Sequence, residues 1–187
     1  MGEYIYVHLL EHFLFTEETL WLSTNDRKIL QADFERRKHA IIGSKAPVLS
    51  LTDEKGDTLS IYNHPADYTI LLFWDPKCTS CKDILYELAQ IIEKYSFLKI
   101  KVFTVCAGDD QDIWKAFLAK KVPSTWSNTF LSEQKGIIDS YNVTKIPSLF
   151  LLDKNLVILD KNYTLRQLDN YLFQIYQSQK GKATNLE

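Results

Sequence analysis

Thr69-Ile70-Leu71-Leu72-Phe73-Trp74-Asp75-Pro76-Lys77-Cys78-Thr79-Ser80-Cys81-Lys82 is the stretch on which the fold turns. Its first six residues form a short, nearly unbroken apolar run, the pattern of a central strand buried on both faces. Two thiols follow, three positions apart, and then Ile84, Leu85, Leu88, Ile91, Ile92 and Tyr95 recur at the spacing of one helix face. The pair therefore stands where a strand hands over to an amphipathic helix. A helix that begins near Cys78 offers it unpaired N–H groups and the positive end of the dipole, and Lys77 and Lys82 add positive potential. All of these favour the thiolate. A thiolate attacks disulfides and a thiol does not, so the pattern suits reversible disulfide chemistry.

Working outward, Ile100, Val102, Phe103 and Val105 predict the next strand, and strand, helix, strand implies a right-handed parallel crossover. Ahead of it, Val48, Leu49 and Leu51, the turn Asp53-Glu54-Lys55-Gly56-Asp57, and Leu59 with Ile61 predict a small hairpin. Asp109-Asp110 opens an amphipathic helix through Ile113, Trp114, Phe117 and Leu118, and Val122-Pro123 ends it. A shorter helix is expected from Glu133 to Tyr141. Ser148 to Asp153 and Leu156 to Asp160 read as strands joined at Lys154-Asn155, and a last helix spans about Thr164 to Gln177. The predicted order is βαβ, then α, then ββα: an α/β fold with a central mixed sheet flanked by helices. No internal repeat and no low-complexity tract interrupts it.

Residues 1–42 contain no proline and no glycine after Gly2, and Leu9, Leu10, Phe13, Leu14, Leu20, Trp21 and Leu22 supply apolar surface. They predict a short helical segment. It breaks at Ser23-Thr24-Asn25-Asp26, where Thr24 or Asn25 caps a second helix running toward Ile42, and Gly43-Ser44-Lys45-Ala46-Pro47 closes it. The expected division is a helical segment at 1–42, the α/β domain at 43–180 and a tail at 181–187. Met1-Gly2 and Leu186-Glu187 have the look of cloning junctions.

The chain has 187 residues, 45% of them hydrophobic, enough for one ordinary core with an appendage. A net charge of −2 and the absence of any Lys/Arg run give no general attraction to nucleic acid or an anionic membrane. No apolar stretch reaches the roughly 18–20 residues that span a bilayer, and the N-terminus lacks the organisation of a signal peptide. Three cysteines, two of them in one CxxC, are too few for a disulfide-stapled scaffold and do not fix the redox compartment.

Four features resemble the thioredoxin fold, and more closely the TlpA/ResA-like thiol-disulfide oxidoreductases of the AhpC/TSA-thioredoxin superfamily. They are Gly43 to Pro47 followed by a hairpin, Phe73 to Cys81, Tyr141-Asn142-Val143-Thr144-Lys145-Ile146-Pro147, and the strand pair around Leu152-Asp153-Lys154-Asn155. The resemblance covers about residues 43–178, and the helices before it resemble the tail of an extra helical domain in some relatives. It implies that Cys78 is the nucleophile and Cys81 the resolving thiol, with no cofactor beyond their redox-active disulfide. It also implies that Ile146-Pro147 is a cis peptide bond facing the pair, leaving the Ile146 backbone free to pair with an extended substrate. Trp74 is expected to shield the disulfide, or alternatively to serve as a packing residue. The Thr79 and Ser80 hydroxyls are candidate donors to the Cys78 sulfur, or alternatively simple helix-start residues.

The implied partners are disulfide-containing client proteins and an upstream electron donor. The implied place is the bacterial cell envelope or periplasm, with membrane contact only through an anchor outside this chain. Of the two directions of exchange, the resemblance favours a reductant. The sequence also departs from the family. Leu72, six residues before Cys78, stands where thioredoxins carry a buried aspartate; Ile84, three after Cys81, replaces a common glutamate; Tyr86 replaces a common proline. Deprotonation of Cys81 has no assigned base, with Asp83, Asp75 or a site water as alternatives, although a nearby acid also opposes the thiolate by like-charge repulsion.

Competing readings fare worse. Half of a zinc site lacks a second ligand pair, since the other thiol, Cys106, ends an apolar strand and reads as an inert buried hydrophobe rather than a third redox thiol. A peroxiredoxin needs Pro-x-x-x-Thr/Ser-x-x-Cys, whereas Pro76 lies two residues before Cys78. His8-Leu9-Leu10-Glu11-His12 matches a zinc-peptidase string with no peptidase-like context and no third ligand, so no metal is expected. His39 and His64 are isolated, and Trp114, Phe117 and Leu118 read as core. The alternative from a different class is a redox-weak thioredoxin-like module that binds peptides or partners within a larger envelope protein.

Overall fold

The computed structural model describes residues 2–14, 16, 21–63, 65–132 and 135–184. Leu20, His64, the expected helix start at Glu133, and the termini Met1 and Leu186-Glu187 lie outside the described residues.

The apolar run forms β3 (Tyr68–Trp74), and every residue after Tyr68 is buried. Alternate side chains enter two separate cores. Ile70, Leu72 and Trp74 join a cluster with Leu85, Leu88, Trp114, Leu168 and Leu172, whereas Leu71 and Phe73 join Leu49, Leu51, Phe103, Tyr141 and Phe150 on the other face. A strand covered on both sides needs apolar residues at every position, which is why the run is continuous rather than alternating.

Around β3, the elements follow as α1 (Gly2–Phe13), α2 (Thr24–Arg37), β1 (Ser50–Asp53), β2 (Thr58–Ser60), α3 (Thr79–Lys94), β4 (Ile100–Cys106), α4 (Gln111–Lys121), β5 (Ser127–Phe130), α5 (Lys135–Ser140), β6 (Ser148–Asp153), β7 (Ile158–Lys161) and α6 (Leu165–Thr184). One seven-stranded sheet runs β2-β1-β5-β4-β3-β6-β7. The pairs β3–β4 and β4–β5 are parallel and the rest antiparallel, so the sheet is mixed as expected.

Four expectations need correction. The strand β5 is absent from the predicted order. Its Ser-Asn-Thr-Phe sequence lacks an apolar strand pattern, yet all four residues are buried. Their polar groups are satisfied across the sheet: Thr104 Oγ1 donates to Asn128 Oδ1 at 2.8 Å and Thr129 Oγ1 donates to the Thr104 carbonyl at 2.8 Å. Ser23, not Thr24 or Asn25, caps α2, accepting from the Asp26 N–H at 3.1 Å. That helix stops at Arg37 rather than running to Ile42. The strand expected from Leu156 begins only at Ile158, because Leu156 adopts φ 61° inside the turn.

That turn shares its design with the first hairpin. Asp153 Oδ1 accepts the N–H groups of Asn155 and Val157, both at 2.8 Å, and Asp53 Oδ1 accepts those of Lys55 and Asp57 at the same distance. Position four of each turn is left-handed, Gly56 at φ 94° and Leu156 at 61°. An aspartate that caps two backbone donors holds the turn without relying on the two-residue hairpin geometry expected at Lys154-Asn155. The helices ahead of the sheet are tied to it by Lys161, a largely buried lysine whose Nζ pairs with Glu3 and donates to the Ala40 carbonyl at 2.8 Å.

Asp153→Ala removes two acceptor contacts to backbone N–H groups and is expected to cost about 1–3 kcal/mol. Urea unfolding reads this as a lower midpoint at unchanged slope; an unchanged midpoint contradicts the role given to the aspartate.

Candidate active site

The thiol pair sits where β3 ends and α3 begins. Asp75 and Pro76 make the connection: Asp75 Oδ1 accepts the Lys77 N–H at 2.7 Å and the Asp75 carbonyl accepts the Cys78 N–H at 3.1 Å. The chain thereby reaches Cys78 in an extended conformation, φ −86° and ψ 119°, and Cys78 becomes the N-cap of α3. Its Sγ accepts the Cys81 N–H at 3.3 Å, filling the place that a serine or aspartate oxygen usually takes. The Ser80 Oγ lies 3.2 Å from the same sulfur.

These contacts split the protonation of the two thiols. Burial alone works against a Cys78 thiolate. Hydrogen bonds from the Cys81 thiol, the Ser80 hydroxyl and the Cys81 N–H outweigh it, against opposition from the Asp75 charge, and the Cys78 pKa falls below that of an ordinary thiol. Cys81 moves the other way. Its burial, its hydrogen bond to Cys78 and the charges of Cys78 and Asp75 push it up to about 12, although the Asp75 N–H partly offsets them. Cys106, fully buried, is also pushed up to about 12, first by burial. All three cysteines are free thiols.

The other sequence candidates divide. Ser80 joins the pair, whereas Thr79 is exposed and makes no hydrogen bond to the sulfur among the described residues. The expected help from Lys77 is redirected: its ammonium pairs with Asp109 at 2.6 Å across the gap to the loop after β4, and both side chains are solvent-exposed. Trp74, read from the sequence as a shield for the disulfide or a packing residue, is fully buried. As the last residue of β3 it points into the core, against Phe117 with ring centroids 5.3 Å apart, and lies in one apolar cluster with Cys81 and Cys106. Its Nε1 has no hydrogen-bond partner among the described residues.

The Ile146-Pro147 bond is cis. Pro147 and Ser80 line one open groove together with Asp83, Ile84, Lys145 and Tyr163, and Ile146 packs half-buried against the core beside it. Leu72 and Ile84, at the positions of the family's acids, are core and groove residues respectively. Sequence reasoning missed Gly108 and Asp109 in the loop after β4; Gly-Asp-Asp signals a helix start and nothing more. The structure confirms Trp114 as core, its ring centroid 5.3 Å from that of Phe130. Away from this site, His8, Glu11 and His12 bring three ligand atoms within 4.8 Å of one another on the exposed face of α1.

Comparison with known proteins agrees with this architecture. The AhpC/TSA family model matches residues 42–161. A thiol-disulfide oxidoreductase ResA of Bacillus cereus is 24% identical over 153 residues, which cover 79% of this chain and 86% of that protein. The thioredoxin-like protein YneN of Bacillus subtilis is 28% identical over 123 residues, 63% of this chain and 69% of the relative. Among solved structures, a thioredoxin-like protein from Bacteroides caccae superposes with a TM-score of 0.77 at 27% identity over 91% of this chain, which spans 62% of that longer chain. A domain of a possible thiol-disulfide isomerase from Cytophaga hutchinsonii gives 0.67 at 32% identity, covering 75% of this chain and 97% of the domain. No helix among the described residues is long and apolar enough to cross a membrane. A thioredoxin-like sheet, a CxxC at the cap of α3, a cis proline beside it and a family match over most of the sheet lead to one assignment: the chain belongs to the AhpC/TSA family, among its TlpA/ResA-like members of thioredoxin fold.

Proposed function

We propose that the protein is a thiol-disulfide oxidoreductase that reduces disulfides in client proteins through Cys78 and Cys81. The observation that carries this reading is the placement of two thiols one helical turn apart, Cys78 accepting the Cys81 N–H at 3.3 Å with Ser80 Oγ 3.2 Å away, and Cys81 fully buried beneath it. The Cys78 thiolate attacks one sulfur of a client disulfide, forming a mixed disulfide and releasing the client's other sulfur as a thiolate. Cys81, once deprotonated, attacks the Cys78 sulfur; the client's second thiolate leaves, and the Cys78-Cys81 disulfide carries the two oxidising equivalents. Return to the dithiol requires an electron donor. The working unit of this reading is residues 43–180, with Ile146 and Pro147 as the edge against which an extended client segment lies. Resemblance to ResA supports a setting in the cell envelope, where oxidised clients and a delivered reductant are both needed.

The rival reading, a partner-binding module with little turnover, draws on the apolar Leu72 and Ile84 at the acids' positions. Insulin disulfide reduction driven by a dithiol separates the two, because only the oxidoreductase turns over. Cys81→Ser is expected to hold clients as mixed disulfides on Cys78; an empty trap together with no insulin reduction by the unaltered protein contradicts the proposal. Ser80→Ala removes one donor to the sulfur and is expected to shift the pH profile of Cys78 alkylation by iodoacetamide upward. An unmoved profile shows that the Ser80 contact does not contribute.

A further inference from the structure

Resolution by Cys81 needs a proton acceptor, and the two positions where relatives hold an acid are Leu72 and Ile84 here. Leu72 is fully buried in the same apolar cluster as Cys81. Asp83 is exposed on the outer side of α3, lining the groove beside Ser80. Asp75 is placed differently. It is half-buried at the end of β3, bonded to both Lys77 and Cys78 N–H groups, and faces the loop that follows β4. There Gly108 approaches so closely that a Cβ built on it would lie 3.0 Å from Asp75 Oδ1, 3.1 Å from Cγ and 3.2 Å from Oδ2. A side chain at this position would press on the carboxylate, which would have to give way by a few tenths of an ångström. The loop is held at that distance by the sheet: Cys106 pairs with Trp74, and the Ala107 N–H donates to the Trp74 carbonyl at 2.8 Å.

The charge of this carboxylate acts on Cys78, Cys81 and Cys106, and the Asp75 backbone N–H offers a hydrogen bond to the Cys81 sulfur. Lys77, on the same loop, interacts with Asp75 and with Asp109 and Asp110 on the facing one, and its ammonium is engaged by Asp109. We propose that the Asp75 carboxylate accepts the proton that Cys81 loses as it resolves the mixed disulfide, and that Gly108 keeps the space for that carboxylate open. This rests on the Cys78-Cys81 exchange proposed above. In the step, the proton passes from Cys81 Sγ to Asp75, the Cys81–Cys78 S–S bond forms, the bond from Cys78 to the client sulfur breaks, and the client thiolate carries away the electron pair. The same charge opposes the Cys78 thiolate by like-charge repulsion, so losing it has opposite consequences for the two half-reactions.

Reaction of the reduced protein with 5,5′-dithiobis(2-nitrobenzoate) separates them. A first, bimolecular release of thionitrobenzoate reports attack by Cys78, and a second, unimolecular release reports resolution by Cys81. For Asp75→Asn the first phase is expected to be as fast as in the unaltered protein or faster, and the second slower by about tenfold or more at neutral pH. That deficit should shrink as pH rises, when hydroxide takes over the acceptor's task. Gly108→Ala, whose Cβ crowds the carboxylate by a few tenths of an ångström without altering its chemistry, is expected to slow the second phase selectively, and it serves as the test should the asparagine variant not fold. A second phase at the unaltered rate, or an equal slowing of both phases, overturns the proposal. If the unaltered protein itself releases only one thionitrobenzoate, the dithiol reading fails and the base assignment with it; two releases with no variant effect remove only the base assignment.

Discussion

The Cys81 N–H donated to the Cys78 sulfur is the contact on which the candidate site depends. A helix start leaves N–H groups that need acceptors, and at α3 the acceptor for one of them is the nucleophile candidate itself. Because an ionised acceptor binds such donors more strongly than a neutral one, forming the helix and ionising the sulfur reinforce each other. The same turn carries the chain inward, so the residue three positions later lands in the core and its thiol is pushed the opposite way. Two chemically identical groups acquire different tasks from one turn of helix.

That turn is held by what lies beneath it. β3 has a different core on each face, and its last residue, Trp74, is wedged between the sheet and α4 against Phe117. With Trp74 fixed, Asp75 leaves the sheet in a set direction and its carboxylate organises the loop that delivers Cys78. Parallel pairing with β4 brings the Gly108 loop alongside. The site is therefore assembled from two adjacent strand ends in the middle of the sheet, where apolar burial on both faces limits relaxation.

Much of this was legible from residue pattern. The continuous run of β3 and the helical spacing from Ile84 to Tyr95 are strong periodic signals, and they located the thiol pair at a strand-helix junction. The cis bond at Ile146-Pro147 came through family resemblance, since nothing in local periodicity distinguishes it. β5 was illegible because Ser127, Asn128 and Thr129 are polar, and only their partners on β4, far away in sequence, make a buried polar strand tolerable. The Asp75–Gly108 approach and the Lys77–Asp109 pair join segments far apart in the chain, and no local signal encodes them.

Fold geometry, rather than lysine charge, separates the two thiols. Titrating the reduced protein with carbon-13 at the cysteine β-positions, followed by NMR, tests it directly. The Cys78 signal should move at lower pH than that of an ordinary thiol, while the Cys81 and Cys106 signals move only near pH 12. Movement of the Cys78 and Cys81 signals together through the ordinary thiol range would contradict it.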